Sequence, residues 1–200
     1  MKTDDLEVID IINEMIDKEE YQKAYETAQK LHKTNKYAKV SYAIMLYSDD
    51  IKGVDKDVNK AIKLLKEAAE SDSVEALRFL GLCYLEKLNN IEKGIYYLKE
   101  AIKKGNVTAM IDLGSFYEFG EYGIEKDLDK ALEYYAMAVK YGSKEGLRYF
   151  VDLLIELKDG EMFNYIKEHI GIIRFFLMIL PSSIKGMFKS LMKKLRIIKA

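Results

Sequence analysis

The sequence predicts an all-α fold: an α/α superhelical solenoid of about five helix-turn-helix repeats, with a C-terminal amphipathic helical extension. Three observations carry this. The chain has 200 residues, 49% of them hydrophobic, but 1 Pro and 12 Gly, too few turn residues for a β-sandwich or barrel. Its apolar residues recur at i, i+3, i+4 and i+7, the one-face pattern of a helix. That pattern itself repeats along the chain, which is the mark of stacked helical pairs.

Residues 1–36 read as a degenerate N-terminal helical hairpin, with helices at about 4–17 and 20–33. The repeats proper begin at residue 37. Ala38 to Leu46, Ala76 to Tyr84 and Ala109 to Tyr117 align, with a small, a large, a small and a large residue at matching offsets. Each block is followed by a second match: Lys60-Ala61 then Ala68, Lys93-Gly94 then Ala101, Lys130-Ala131 then Ala138. These define copies at 37–73, 74–106 and 107–143, with a weak fourth at 144–170 carrying Gly146, Phe150, Val151 and Leu154. Gly81 and Gly114 fall mid-helix, where glycine costs about 1 kcal/mol against alanine. They are expected to let a neighbouring helix approach closely, as Ala43 does in the first copy. Gly105 and Gly142 fall just past second helices, where a left-handed cap favours glycine. Asp57 and Asp127 are the expected N-caps of second helices.

The A-x-x-x-L-G-x-x-Y helix, the G-[VI]-x-K-D-x-x-K-A turn (Gly53 to Ala61, Gly123 to Ala131) and the closing A-x-x-x-G resemble Sel-one-like repeats, relatives of tetratricopeptide repeats. The middle copy departs from the pattern: its loop, Lys87 to Asn90, is short and lacks the glycine pair. The resemblance implies that the first helix of each pair lines a concave surface. It places Tyr37, Val40, Ile44 and Tyr47 there from the first copy, and Arg78, Leu82 and Leu85 from the second. Ile111, Ser115 and Glu118 come from the third, Arg148 and Asp152 from the fourth. The chain has four arginines, Arg78, Arg148, Arg174 and Arg196, and the first two share one repeat position. A guanidinium grips a carboxylate through two parallel hydrogen bonds, which an ammonium does not match. The competing reading is two ordinary solvated helix residues.

Residues 171–200 form the extension. They hold seven Lys or Arg and no acid, so the rest of the chain has 25 basic against 33 acidic residues, a balance of −8. Ile170 to Leu180 is too short an apolar run to span a bilayer. After Pro181, the residues Ile184, Met187, Phe188, Leu191, Met192, Leu195 and Ile198 mark one apolar stripe. Lys185, Lys189, Lys193, Arg196 and Lys199 fill much of the opposite face. Three readings stand open: a cap on the end of the stack, a helix lying on an anionic membrane, or a helix docked in a partner.

Chemistry is sparse. His32 and His169 have no His or Cys at metal-ligand spacing, so no metal and no cofactor are expected. Ser182-x-x-Lys185 and Ser190-x-x-Lys193 match S-x-x-K, but the S-D-N and K-T-G motifs that accompany it in penicillin-recognising enzymes are absent. The acid pairs Asp4-Asp5, Glu19-Glu20 and Asp49-Asp50 read as solvated caps and turns. Cys83 aligns with apolar residues and reads as core. Tyr84, Tyr96, Tyr97, Tyr117, Tyr134, Tyr135 and Tyr141 read mostly as helix-on-helix packing. There is no phosphate-binding glycine loop, and the acidic balance argues against nucleic acid. The expected function is therefore not enzymatic: an adaptor holding a peptide or partner helix in the concave groove. The alternative is a peripheral membrane scaffold recruited to anionic lipid by 171–200. An acidic N-terminal stretch and a lone cysteine make a reducing cytoplasm the expected location, at the inner leaflet in the alternative.

Overall fold

In a computed structural model of the chain, residues 5–158 and Gly186 are described. Every regular element among them is helical. The helices are α1 (Asp5–Asp17), α2 (Tyr21–Leu31), α3 (Lys36–Tyr47), α4 (Val58–Glu70), α5 (Val74–Glu86), α6 (Ile91–Lys103), α7 (Val107–Phe119), α8 (Leu128–Lys140) and α9 (Lys144–Lys158), with a 3-10 turn at Glu121–Gly123. The chain divides into two compact units, Met1–Asn106 and Val107–Ala200. In the first, helices pack in sequence as hairpins α1/α2, α3/α4 and α5/α6, and the first helices α1, α3 and α5 adjoin one another. In the second, α7 packs on α8 and α8 on α9.

Side chains set where helices start. The Asn35 carboxamide accepts from the Tyr37 and Ala38 amides, both at 2.9 Å. Asp57 accepts from Lys60 N at 2.9 Å, Asn90 from Lys93 N at 3.0 Å, and Asp127 from Lys130 N at 3.0 Å. Each satisfies an amide that the helix leaves without a partner. Helix ends follow the repeat logic too. Gly105 and Gly142 lie at φ +86° and +87°, and Asp72 takes the same place in the first copy at φ +58°. In the short middle loop Asn89 adopts φ +46°, doing without the glycines. The loops close through one amide each: Asp57 N to Leu46 O at 2.8 Å, Asn90 N to Tyr84 O at 2.9 Å, Asp127 N to Tyr117 O at 2.8 Å.

The close-approach expectation for Gly81 and Gly114 holds. A Cβ on Gly81 would lie 2.6 Å from Leu98 Cγ, and one on Gly114 2.5 Å from the Tyr135 ring. Three lysines at equivalent second-helix positions lie over tyrosines of the preceding helix: Lys60 over Tyr42 (5.0 Å), Lys93 over Tyr84 (5.4 Å) and Lys130 over Tyr117 (5.1 Å). The tyrosines divide. Tyr84 and Tyr97 stack at 5.5 Å and Tyr117 and Tyr134 at 5.8 Å, whereas Tyr96 and Tyr141 are exposed and depart from the packing expectation. Asp49 is exposed, as expected of a solvated turn residue, and pairs at the surface with Lys87 across the hairpins.

Two expected results follow. Asp127→Ala removes a cap and its contact to Lys130 (2.6 Å), and should cost about 1 kcal/mol at neutral pH. Hydrogen bonds from the Lys130 side chain and its amide hold the Asp127 carboxyl below the usual carboxylate range. Its charge contribution is thus present above the usual carboxylate pKa and is lost as pH falls through the depressed folded value. Thermal melts of the two proteins should converge in acid. Cys83 is fully buried, and burial lifts its thiol to about 11. At pH 8 a thiol reagent should leave the native chain unmodified and react fully in denaturant, a difference visible in a simple absorbance time course.

Candidate functional site

The expected groove residues fall in both units. In the first, α3 presents Tyr37, Val40, Ile44 and Tyr47, and α5 presents Arg78, Leu82 and Leu85. Tyr37, Ile44 and Arg78 are half-buried. Val40, Tyr47 and Leu82 are buried; Tyr47 meets Phe79 edge-on at 6.4 Å, tying α3 to α5. Leu85 is a packing residue, not a groove residue. It is 1% exposed, and a Cβ on Gly94 would meet its Cγ, so it fills the seam of the α5/α6 hairpin.

Arg78 is the best-defined group of this face. Its side chain is 15% exposed, its Nη1 donates to Glu75 Oε1 at 3.2 Å, and its guanidinium lies over the Phe79 ring at 4.9 Å. Glu75 also accepts from Asn106 Nδ2 at 2.9 Å, so its carboxylate links the start of α5 to the turn after α6. Beside it is a pocket of about 420 Å³ formed by the start of α3 (Lys36, Tyr37), the turn into α5 (Asp72 to Glu75) and the turn after α6 (Lys104 to Asn106). Lys104 pairs with Asp72 at 3.0 Å on its rim, and Lys36 lies over the Tyr37 ring at 5.3 Å. A tyrosine thus lies within a rim of both charge signs. The sequence pattern does not single out Glu75, Lys104 or Asn106. A signal exists, since the turn that closes each copy recurs at a fixed offset, but nothing in one sequence says that successive turns share a pocket.

In the second unit, Ile111 and Ser115 are half-buried on α7, and Arg148 and Asp152 are exposed on α9. Arg148 repeats the Arg78 arrangement: its guanidinium lies over the next residue, Tyr149, at 4.5 Å. Tyr149 stacks on Tyr135 at 5.4 Å. Glu118, expected to face a groove, is buried at 9% exposure, and Tyr135 donates to its Oε2 at 2.5 Å. Burial and then this carboxylate push the Tyr135 phenol far above its usual range.

Other candidates acquire plain roles. His32 lies 2.5 Å from Gln29 O through Nδ1 and packs on Tyr42 at 4.9 Å. Tyr42 is buried, and its hydroxyl receives Lys60 Nζ at 2.8 Å and Gln29 Nε2 at 3.1 Å. Among the described residues no group of three His, Cys, Asp or Glu is placed to hold a metal, and no helix is long and apolar enough to cross a membrane. His169, both S-x-x-K matches and every extension residue from Ile184 to Lys199 that carries the amphipathic pattern lie outside the described residues.

The Sel1 repeat family model matches the chain at residues 37–73, 74–106 and 107–142. A Sel1 repeat protein from Oxalobacter formigenes is 31% identical over 59% of this chain and 48% of its own, with a TM-score of 0.46. A protective antigen present in uropathogenic Escherichia coli strains, displaying an SLR fold, is 22% identical over 72% of this chain and 29% of its own, with a TM-score of 0.50. The chain thus spans about half the length of the first protein and under a third of the second. No curated protein matches the sequence.

Proposed function

The chain belongs to the Sel1 repeat family, whose members generally mediate protein–protein interactions on a scaffold fold, and on that premise we propose that it is an adaptor whose first helices hold a peptide or a partner helix. The observation that supports this most directly is the recurrence of Arg78 and Arg148. In a chain rich in lysine and poor in arginine, both occupy the same repeat position, and each is laid on the aromatic ring that follows it. Stacking restricts the guanidinium plane, so less freedom is lost when a carboxylate or a main-chain carbonyl of a partner is gripped. Tyr37 and Ile44 supply apolar surface in the first unit, and Ile111 supplies it in the second. The scaffold needs no catalytic residue to work this way.

The test is capture of partners by the immobilised full chain. Arg78→Ala with Arg148→Ala should reduce capture by roughly tenfold or more, as loss of charge-assisted bonds implies, while the far-UV spectrum stays helical. Lys63→Ala with Lys99→Ala, at exposed second-helix positions, should leave capture unchanged. Equal capture by the arginine variant, or equal loss by the lysine variant, would remove the first helices from the binding surface.

A further inference from the structure

Aligning the copies isolates one residue that breaks the repeat. The ninth residue after the aligned alanine is Tyr47 in the first copy, Leu85 in the second and Glu118 in the third. Four residues after Ala61, Gly94 and Ala131 come Leu65, Leu98 and Tyr135. All six are buried. Where Leu98 and Leu85 make an apolar seam, the third copy has a phenol bonded to a carboxylate.

That pair is not self-sufficient. An ionised carboxylate offers about four acceptor sites, and among the described residues Glu118 has a hydrogen bond from Tyr135 and no ion pair. Arg148, at the surface over Tyr149, makes no ion pair with it. A carboxylate withdrawn from water without a cation is costly. No fully enclosed side-chain oxygen among the described residues goes without a bond, so the second oxygen of Glu118 opens toward the surface. Beside it is the Tyr135 ring, whose hydroxyl donates to Glu118 and whose face stacks on Tyr149. A buried carboxylate with one open lone-pair direction, beside the Tyr135 ring, is the complement of a cation on an aliphatic stem.

We propose that Glu118 is a recognition point for one cationic side chain, an arginine or a lysine, of the protein that the adaptor holds. This deepens the adaptor reading and rests on it. It names the chemistry of the partner at the third copy: a basic residue entering beside Tyr135, where the second copy presents the apolar pair Leu85 and Leu98. The departure from the repeat is then the specificity device, placed where a plain repeat would have used the position for stability.

The experiment uses the full chain with its tyrosine rings isotopically labelled, the Tyr135 and Tyr149 signals being assigned from Tyr135→Phe and Tyr149→Phe. N-acetyl-arginine methylamide and N-acetyl-lysine methylamide are the probes, and N-acetyl-citrulline methylamide is the neutral isostere. A saturable shift of the Tyr135 signal with the two cations is expected, roughly tenfold weaker with citrulline and with Glu118→Gln because both remove the charge from the hydrogen bond. No saturable shift, an equal response to citrulline, or an equal response in Glu118→Gln overturns the proposal. If Glu118→Gln does not fold, the citrulline comparison on the unaltered chain decides alone. Overturning it while the arginine variant still loses capture removes Glu118 and leaves the adaptor reading standing.

Discussion

Gly81→Val is expected to destabilise the chain by about 3 kcal/mol, the usual upper range for overpacking a tight seam. The atoms that a new side chain meets decide this. A Cβ at residue 81 would lie 2.6 Å from Leu98 Cγ and 3.0 Å from the Gly94 carbonyl oxygen. Leu98 is fully buried and has nowhere to swing, and the Gly94 oxygen is backbone. Even Gly81→Ala, which relieves a helix-propensity cost of about 1 kcal/mol, should lose overall, because the methyl has no space. Gly94 is the mirror of this arrangement: a Cβ there would lie 3.1 Å from the Gly81 oxygen. The α5 and α6 backbones therefore touch at facing glycines, and Leu85 and Leu98 close the seam on either side. In the first copy the aligned residue is Ala43, so the α3/α4 seam accepts the methyl that α5/α6 excludes. Urea unfolding should give successively lower midpoints for the unaltered chain, Gly81→Ala and Gly81→Val. A Gly81→Val midpoint equal to that of the unaltered chain would show that the seam is loose.

These glycines illustrate what one sequence discloses. Their mid-helix position is a local penalty that only a close neighbour explains, so the approach of a second helix follows from the residues alone. The caps Asp57 and Asp127 and the left-handed ends at Gly105 and Gly142 are readable for the same reason: each rests on short-range chemistry at a fixed offset. Burial along the first helix is less readable. Val40, Tyr47, Leu82 and Leu85 share periodicity with Tyr37 and Ile44, yet the former are buried and the latter half-buried. Periodicity gives a direction around one helix. It does not say how closely the next helix closes over it, and for Leu85 that depends on the absent Cβ of Gly94. The pocket beside Tyr37 is hidden for a related reason, since its walls come from turns far apart in sequence. Periodicity places Glu118 among the first-helix residues, but it does not identify the partner on α8. In the sequence Tyr135 is one more packing tyrosine, and only the geometry shows that the two anomalies of the third copy are one pair.

That pairing makes the sharpest energetic prediction. Tyr135→Phe keeps the ring in its stack with Tyr149 and removes the hydroxyl that serves the Glu118 carboxylate. Hydrogen bonds to charged groups contribute about 1.5–3 kcal/mol, and the carboxylate is left buried without a donor, so a loss of about 2 kcal/mol is expected. Glu118→Leu alone strands a neutral phenol, which costs less than a stranded carboxylate, and should lose about 1 kcal/mol. The double variant, Glu118→Leu with Tyr135→Phe, restores an apolar pair of the kind the second copy has in Leu85 and Leu98. Replacing a buried polar pair with packed apolar groups is often neutral or stabilising by about 1–4 kcal/mol, so the double variant should be at least as stable as the unaltered chain. The two losses should therefore fail to add, with a coupling of about 3 kcal/mol in a double-mutant cycle measured by urea unfolding. Simple additivity would mean that the two side chains do not depend on each other and that the third copy is an ordinary repeat. Strong coupling, with a double variant that is stable yet no longer answers to a cationic probe, would show that this copy gives up stability to keep a carboxylate in its seam.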